Sequence, residues 1–369
     1  MTEYLFSNSE NVITPALIYY KEILEKNTDE IIALAGDVHK LWPHVKSHKC
    51  KKMVEFLQSK GIDKFKCATI AEAEMVAECH PRAVLIAYPL VGPNISRAVL
   101  LAKAYPEVEF WVIGDNAEQI AALDQEAWRA DFSLNFLVDV NMGQDRTGIE
   151  PEQVPAFVRN LGHLKKIRFS GLHCYDGNRH EPHFSERKAL VDCTYRKIEK
   201  AVVELERTGY PVDVIVAGGS PSFPCYCDKK KVYFSPGTIF LQDDGYAQAF
   251  SDLPMKPAAA ILTRVISNPR PGHFTLDLGY KAIAADPKGA RGRIVGLEHY
   301  QEFLQNEEHW CFSMEKGYEN ACPTVGQELF VIPTHICPTS ALYPSVFVVE
   351  KGRIVDEWEV TARNRKLMF

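Results

Sequence analysis

The chain lacks any apolar run close to the roughly 20 residues that a bilayer-spanning helix needs, so no membrane span is expected. It lacks a cationic start leading into an apolar stretch, because Met1 to Asn11 is polar and acidic, unlike a secretory leader. It lacks surplus positive charge. With 42 Lys and Arg against 48 Asp and Glu, and no basic stripe with interleaved aromatics, nothing invites nucleic acid. It has no internal repeat and no low-complexity linker. Its ten cysteines follow no regular spacing, which fits reduced thiols in a cytoplasmic protein and not a disulfide framework. Cys225-Tyr226-Cys227 and His335-Ile336-Cys337 form close clusters that a metal could use.

What the chain does have is alternation. Short β-branched or aromatic runs take turns with longer stretches of helical period across the first two thirds, the pattern of βα units and a parallel sheet. The predicted strands are His39 to Val45, Lys64 to Cys67, Ala83 to Tyr88, Val108 to Ile113, Leu134 to Val140, Ile167 to Leu172, Val212 to Ala217 and Lys231 to Phe234. Cys50, Met53, Val54 and Leu57 repeat at helical spacing and predict a core-facing stripe; the longest predicted helix runs from Glu186 to Thr208. Eight such units predict a (β/α)8 TIM-type barrel, with an open doubly wound sheet as the alternative. A chain of 369 residues leaves room for a second domain. From about Ala258 the texture turns to short strands with Gly turns, such as Val346 to Glu350, Lys351-Gly352 and Arg353 to Trp358. The expected division is a barrel over 21–250 and a β-rich domain over 251–369.

The polar clusters fall just after predicted strands, where a barrel builds its active site. Lys46 follows the first, Arg146 the fifth, His173 and Tyr175 the sixth, Gly218-Gly219-Ser220 the seventh, and Gly237-Thr238 the eighth. The last two loops are where barrels often hold phosphate, and glycine lets the main chain approach closely. Lys46 lies in Leu41-Trp42-Pro43-His44-Val45-Lys46-Ser47-His48-Lys49. Nearby cations and partial burial would lower its pKa and free the amine for imine chemistry. The plainer reading is a basic turn on a solvated rim.

This segment resembles the Pro-His-x-Lys-x-His-Lys signature of the D-threonine aldolase and D-serine dehydratase family, pyridoxal-phosphate enzymes with an alanine-racemase type of barrel. The resemblance runs from Thr14 to the closing Val360-Thr361-Ala362-Arg363-Asn364-Arg365-Lys366, and Trp42 stands where most members have Arg. It implies that Lys46 carries pyridoxal 5'-phosphate as an imine and that Thr14 to Tyr20 joins the second domain, so that 1–20 and 251–369 belong together. It implies that Arg146, in Val138 to Gly148, contacts the cofactor's phenolic oxygen. Tyr175 is the candidate to pack on the pyridine ring, and Gly218, Gly219, Ser220, Gly237 and Thr238 are candidates for the phosphate. The His that usually follows the Tyr-x-Gly is replaced by Asn178, with His180 displaced.

His335 and Cys337, two apart, would face one side if they lay on a strand. An isolated pair of this kind is more often a His beside a core thiol, but the family has a His-x-Cys or His-x-Asp pair here that binds a divalent cation near the substrate's β-hydroxyl. Imidazole with thiolate favours zinc over manganese or magnesium. The implied activity is retro-aldol cleavage of a D-β-hydroxy-α-amino acid to glycine and an aldehyde, with dehydration to a keto acid and ammonia as the alternative and racemisation behind both. A non-catalytic pyridoxal-phosphate carrier and a barrel hydrolase are the readings from other classes. The family also implies a homodimer.

Overall fold

Runs of apolar residues on both faces of short strands need cover on both sides, and the chain meets that need with parallel strands wrapped by helices. The computed structural model describes residues 2–368 and divides them into two units. One, the β unit, comprises the residues up to Glu30, Ser47–Lys52 and Thr238–Arg363; the other, the barrel unit, comprises Ile31–Lys46, Met53–Gly237 and the residues from Asn364.

Strand β1 (Ala16–Tyr20) belongs to the β unit. The barrel unit holds β2 (Lys64–Cys67), β3 (Ala83–Ile86), β4 (Glu109–Gly114), β5 (Leu134–Asp139), β6 (Ile167–Cys174), β7 (Val214–Ala217) and β8 (Val232–Phe234). These seven pair in parallel in chain order, each joined to the next by a crossover connection. Residues 41–44 close the ring: Leu41 bridges to Phe234 and His44 to Lys66, both in parallel. The Trp42 and His44 amides donate to the carbonyls of Phe234 (2.7 Å) and Pro236 (2.9 Å), and the Lys66 amide donates to that of Pro43 (2.8 Å).

The barrel expectation therefore holds, but the strand expected over 39–45 does not form as a strand. Val38–Lys40 and Val45–Ser47 are 3-10 turns, and only isolated bridges lie between them. Pro43 has no N–H to give a ladder, although its carbonyl still accepts. Trp42 fills the barrel interior. Its indole N–H donates to the Phe65 carbonyl at 2.8 Å, and its ring meets Trp111 and Tyr233 edge-on at 5.5 and 6.0 Å. Leu85, Ile113, Leu137 and Val216 complete that core.

The helices keep their predicted places. Met53, Val54 and Leu57 are the buried face of Lys51–Ser59, and the long helix is Phe184–Arg207.

In the β unit, β9 (Ala259–Ser267) pairs with β1, β10 (His273–Leu276) and β14 (Glu328–Pro333). Strand β11 (Gly292–Ile294) pairs with β14, and β12 (Tyr300–Gln305) and β13 (Trp310–Met314) extend the sheet beyond β10. On its other side β1 runs parallel to β15 (Ser345–Glu350), which turns back into β16 (Arg353–Glu359). Lys351 (φ 50°) and Gly352 (φ 67°) both take the left-handed conformation that a two-residue hairpin needs. The N-terminal strand is thus an inner strand of the β-rich sheet, as expected.

Candidate active site

The carboxyl ends of the barrel strands surround a cavity of about 560 Å³, lined by His44, Lys46, Lys66, Ala68, Ala87, Tyr88, Pro89, Val91, Arg146, Thr147, His173 and Tyr175. Among the described residues no carboxylate lines it, and two lysines and an arginine give it a basic wall. Among the sequence candidates, the structure brings Lys46, Arg146 and Tyr175 together here. Lys46 sits in the turn that ends the first, reduced strand, and its backbone N–H donates to His44 Nδ1 at 3.3 Å. The Arg146 guanidinium lies 5.1 Å from the Tyr175 ring centroid, in cation–π range.

The other side of this site is a lysine that the motifs did not flag. Lys66, at the centre of β2, is fully buried; its Nζ donates to Ser235 Oγ at 2.7 Å, lies 3.5 Å from His173 Nε2 and 5.1 Å from the Tyr175 ring centroid. Burial, and next the charge of Lys46, bring its amine down to about 7. His173 is buried as well, and burial holds its imidazole below the ordinary range. Its Nδ1 lies 2.7 Å from Asp139 Oδ1. Burial alone would raise the Asp139 carboxyl, but its interaction with His173, the hydrogen bond from Thr147 and the charge of Lys66 together outweigh that and hold it low. We therefore read an ionised Asp139 accepting the Nδ1–H of a neutral His173, with Nε2 turned to Lys66.

The glycine loops lie behind Tyr175. Gly218 (φ +76°) takes a left-handed turn in which an added Cβ would stand 2.6 Å from Phe223 Cα, and a Cβ on Gly219 would stand 3.2 Å from the Tyr175 ring. The loop is fastened by buried Asp176, which accepts from Ser222 Oγ (2.7 Å), Tyr226 Oη (2.9 Å) and the Gly219 amide (3.3 Å). The Gly237 amide donates to Ser220 Oγ at 3.3 Å, which ties the second loop to the first. Two amides expected to face an anion thus have side-chain acceptors of their own. Thr238 falls in the β unit, its hydroxyl 3.1 Å from Cys337 Sγ. Asn178 donates to the Gly143 carbonyl at 3.0 Å, and His180 is exposed.

The expectation that His335 and Cys337 share a strand face is corrected. Strand β14 ends at Pro333 and His335 precedes the helix Ile336–Leu342, because Pro338 suits the first turn of a helix and not a ladder. The two side chains still interact. Burial lowers the His335 imidazole, but Cys337 and then Asp286 outweigh it and raise it to about 9. His335 Nδ1 lies 2.6 Å from Asp286 Oδ2, which directs Nε2 elsewhere, and Cys337 Sγ donates to Ser47 Oγ at 3.1 Å. A carboxylate behind an imidazole is the usual support of a ligating histidine. Among the described residues no group of three or more His, Cys, Asp or Glu converges as a metal cage, so this donor set amounts to a pair. In Cys225-Tyr226-Cys227, burial pushes the Cys225 thiol up to about 11, and Tyr226 donates to Asp176.

Residues 21–240 match the family described as alanine racemase, N-terminal domain, and 258–349 match the putative serine dehydratase domain. The chain belongs to the alanine racemase N-terminal domain family. It is 28% identical to a D-threonine aldolase of Arthrobacter sp. over 95% of this chain and 93% of that one. It is 25% identical to a 3-hydroxy-D-aspartate aldolase of Paracoccus denitrificans over 97% and 94%. The crystal structure of D-threonine aldolase from Filomicrobium marinum superposes with a TM-score of 0.90 at 25% identity, covering 98% of this chain and 99% of that one. A D-threo-3-hydroxyaspartate dehydratase from Delftia sp. shares the fold, with a TM-score of 0.83 at 18% identity. The family is one of pyridoxal-phosphate-dependent enzymes with metal-dependent members. No helix of the described residues is long and apolar enough to cross a membrane.

Proposed function

We propose that the protein is a pyridoxal-phosphate- and divalent-metal-dependent lyase that cleaves a D-β-hydroxy-α-amino acid to glycine and an aldehyde. The observation that carries this reading is the acid-free cavity with Lys46, Arg146 and Tyr175 on its wall. An aromatic anion that bears an aldehyde fits those residues: Lys46 offers the amine, Arg146 a charge for the phenolic oxygen, Tyr175 a face for the ring. When bound, the cofactor supplies an electron sink for the bond broken at Cα. The chain's own share is to hold the substrate so that the Cα–Cβ bond, and not Cα–H, is aligned for cleavage, and to remove the hydroxyl proton. Gly218, Gly219, Ser220 and Gly237 shape the loops we assign to the phosphate, and we add Thr238 as a donor. His335 and Cys337 would hold the cation, zinc favoured, and leave positions open for water and the β-oxygen.

Cys337 in place of an acid favours a second reading, dehydration to a keto acid and ammonia. We read the enzyme as a cytoplasmic homodimer, which light scattering of the active protein tests. The decisive experiment is incubation of the cofactor-loaded protein with D-threonine and with D-serine, before and after chelation. Glycine and acetaldehyde support cleavage; ammonia and keto acid support dehydration; neither product, from protein that binds the cofactor, overturns the lyase reading.

A further inference from the structure

We propose that Lys66 is the base that takes the substrate's β-hydroxyl proton, and that His173 and Asp139 carry that proton onward. The proposal rests on the lyase reading and specifies the chemistry of the same site. Of the ionisable nitrogens on the cavity wall, Arg146 keeps its proton at any working pH, and Lys46, which the substrate's amine displaces from the cofactor, is the group that returns a proton to Cα. His44 accepts a backbone N–H at Nδ1, which leaves its other ring nitrogen as a donor when the ring is neutral. What remains is Lys66 with His173.

The groups around Lys66 explain how a buried lysine can act as a base. Lys46 and His44 come from the end of the first strand, Asp139 and Arg146 from β5 and its loop, His173, Tyr175 and Asp176 from β6 and its loop, and Ser235 from the loop after β8. Burial and the charges of Lys46 and Arg146 oppose the ammonium, whereas Asp139 and Asp176 support it; the balance near 7 keeps about half the amines unprotonated at neutral pH. In the cleavage direction the hydroxyl proton moves to the Nζ lone pair. The O–H electron pair becomes the π bond of the aldehyde as Cα–Cβ breaks, and the pair from that bond takes a proton from the displaced Lys46 ammonium to become the new Cα–H bond of glycine. The new ammonium has Ser235 Oγ at 2.7 Å and His173 Nε2 at 3.5 Å to donate to, and imidazolium formed there faces Asp139 at 2.7 Å. Handing the proton to His173 restores the amine for the next turnover.

Three measurements on wild type and Lys66→Met test this. Competitive acylation read by mass spectrometry should half-label Lys66 of the wild-type protein near pH 7, with exposed lysines following only above pH 10. In the cofactor-loaded enzymes, D-threonine cleavage should fall about 100-fold or more in Lys66→Met, and the wild-type acidic limb near pH 7 should vanish with it. Exchange of glycine's Cα hydrogen in deuterated water, which involves no hydroxyl, should persist in the variant. Unchanged cleavage, an equal loss of exchange and cleavage, or ordinary lysine labelling of Lys66 would overturn the proposal; the labelling arm needs no variant and so does not depend on one that folds. A wild-type holoenzyme that neither exchanges glycine nor cleaves D-threonine sinks the lyase reading and this proposal with it. A wild type and a Lys66→Met variant that both do both sink the proposal alone.

Discussion

Replacing Asp176 with Ala should loosen the glycine loop that the cofactor's phosphate is expected to occupy. Its carboxylate accepts two hydroxyls at 2.7 and 2.9 Å and one amide at 3.3 Å, all buried. Hydrogen bonds to a charged group contribute roughly 1.5–3 kcal/mol each, but burial raises this carboxyl's pKa, so its surroundings resist the charge and the lower end applies. Counting the two short bonds, Asp176→Ala should cost about 3 kcal/mol, a large share of the 5–15 kcal/mol typical of a folded protein. Asp176→Asn keeps shape and one acceptor oxygen and should cost about 1 kcal/mol. The pH dependence has a definite sign. Folding raises the pKa above 3.8, so the stabilisation linked to this proton is complete below the unfolded value and is lost as pH rises through the folded one. Wild type should therefore lose ground to Asp176→Asn as the pH climbs above about 4. Urea unfolding at several pH values reads the stability, and absorbance titration with pyridoxal phosphate reads the loop. An Ala variant as stable as wild type and with the same cofactor affinity would show that Asp176 does not hold the loop.

Lys46→Ala should abolish the near-visible absorbance of the loaded protein and its fixation by borohydride; retention of either moves the anchor elsewhere. His335→Ala and Cys337→Ser should each reduce bound divalent metal, measured by mass spectrometry after dialysis. Asp286→Asn should weaken metal affinity about 10- to 100-fold through the orientation of His335, and unchanged metal content in all three would remove the pair from the site. Trp42→Ala should destabilise the protein by about 3–5 kcal/mol in urea unfolding, because it empties the barrel interior and removes the indole's hydrogen bond to the Phe65 carbonyl.

The barrel was legible because hydrophobic period and turn residues recur unit after unit, and no single strand had to be right. The strand expected over 39–45 shows the limit of that reading. A sheet-like composition there includes Pro43, which breaks the ladder into bridges while leaving the ring closed. The strand placement of His335 and Cys337 failed in a similar way. His335-x-Cys337 invites a strand face, but the ladder stops at Pro333, and Pro338 starts a helix; local composition could have said so, since proline at the first turn of a helix is a start signal. Thr238 was placed by counting loops, and no count can tell that the chain passes into the other unit between Gly237 and Thr238.

Lys66 was missed for a more instructive reason. Lys64-Phe65-Lys66-Cys67 looks half-solvated when read by alternation alone, and a lysine is the residue most readily assigned to water. Yet a strand inside a parallel barrel has no wet face: cover lies on one side and packed interior on the other. Once β2 is taken as one of eight such strands, both lysines must be accounted for, and all four of its residues are indeed buried. Lys64 reaches out to Asp63 at 2.7 Å and the His39 carbonyl at 3.1 Å. Lys66 meets the cavity, a hydroxyl, an imidazole and the Tyr175 ring. A buried cation without a carboxylate in direct contact is costly to keep, and a chain that keeps one beside a second lysine has placed an amine where its proton is easily given up.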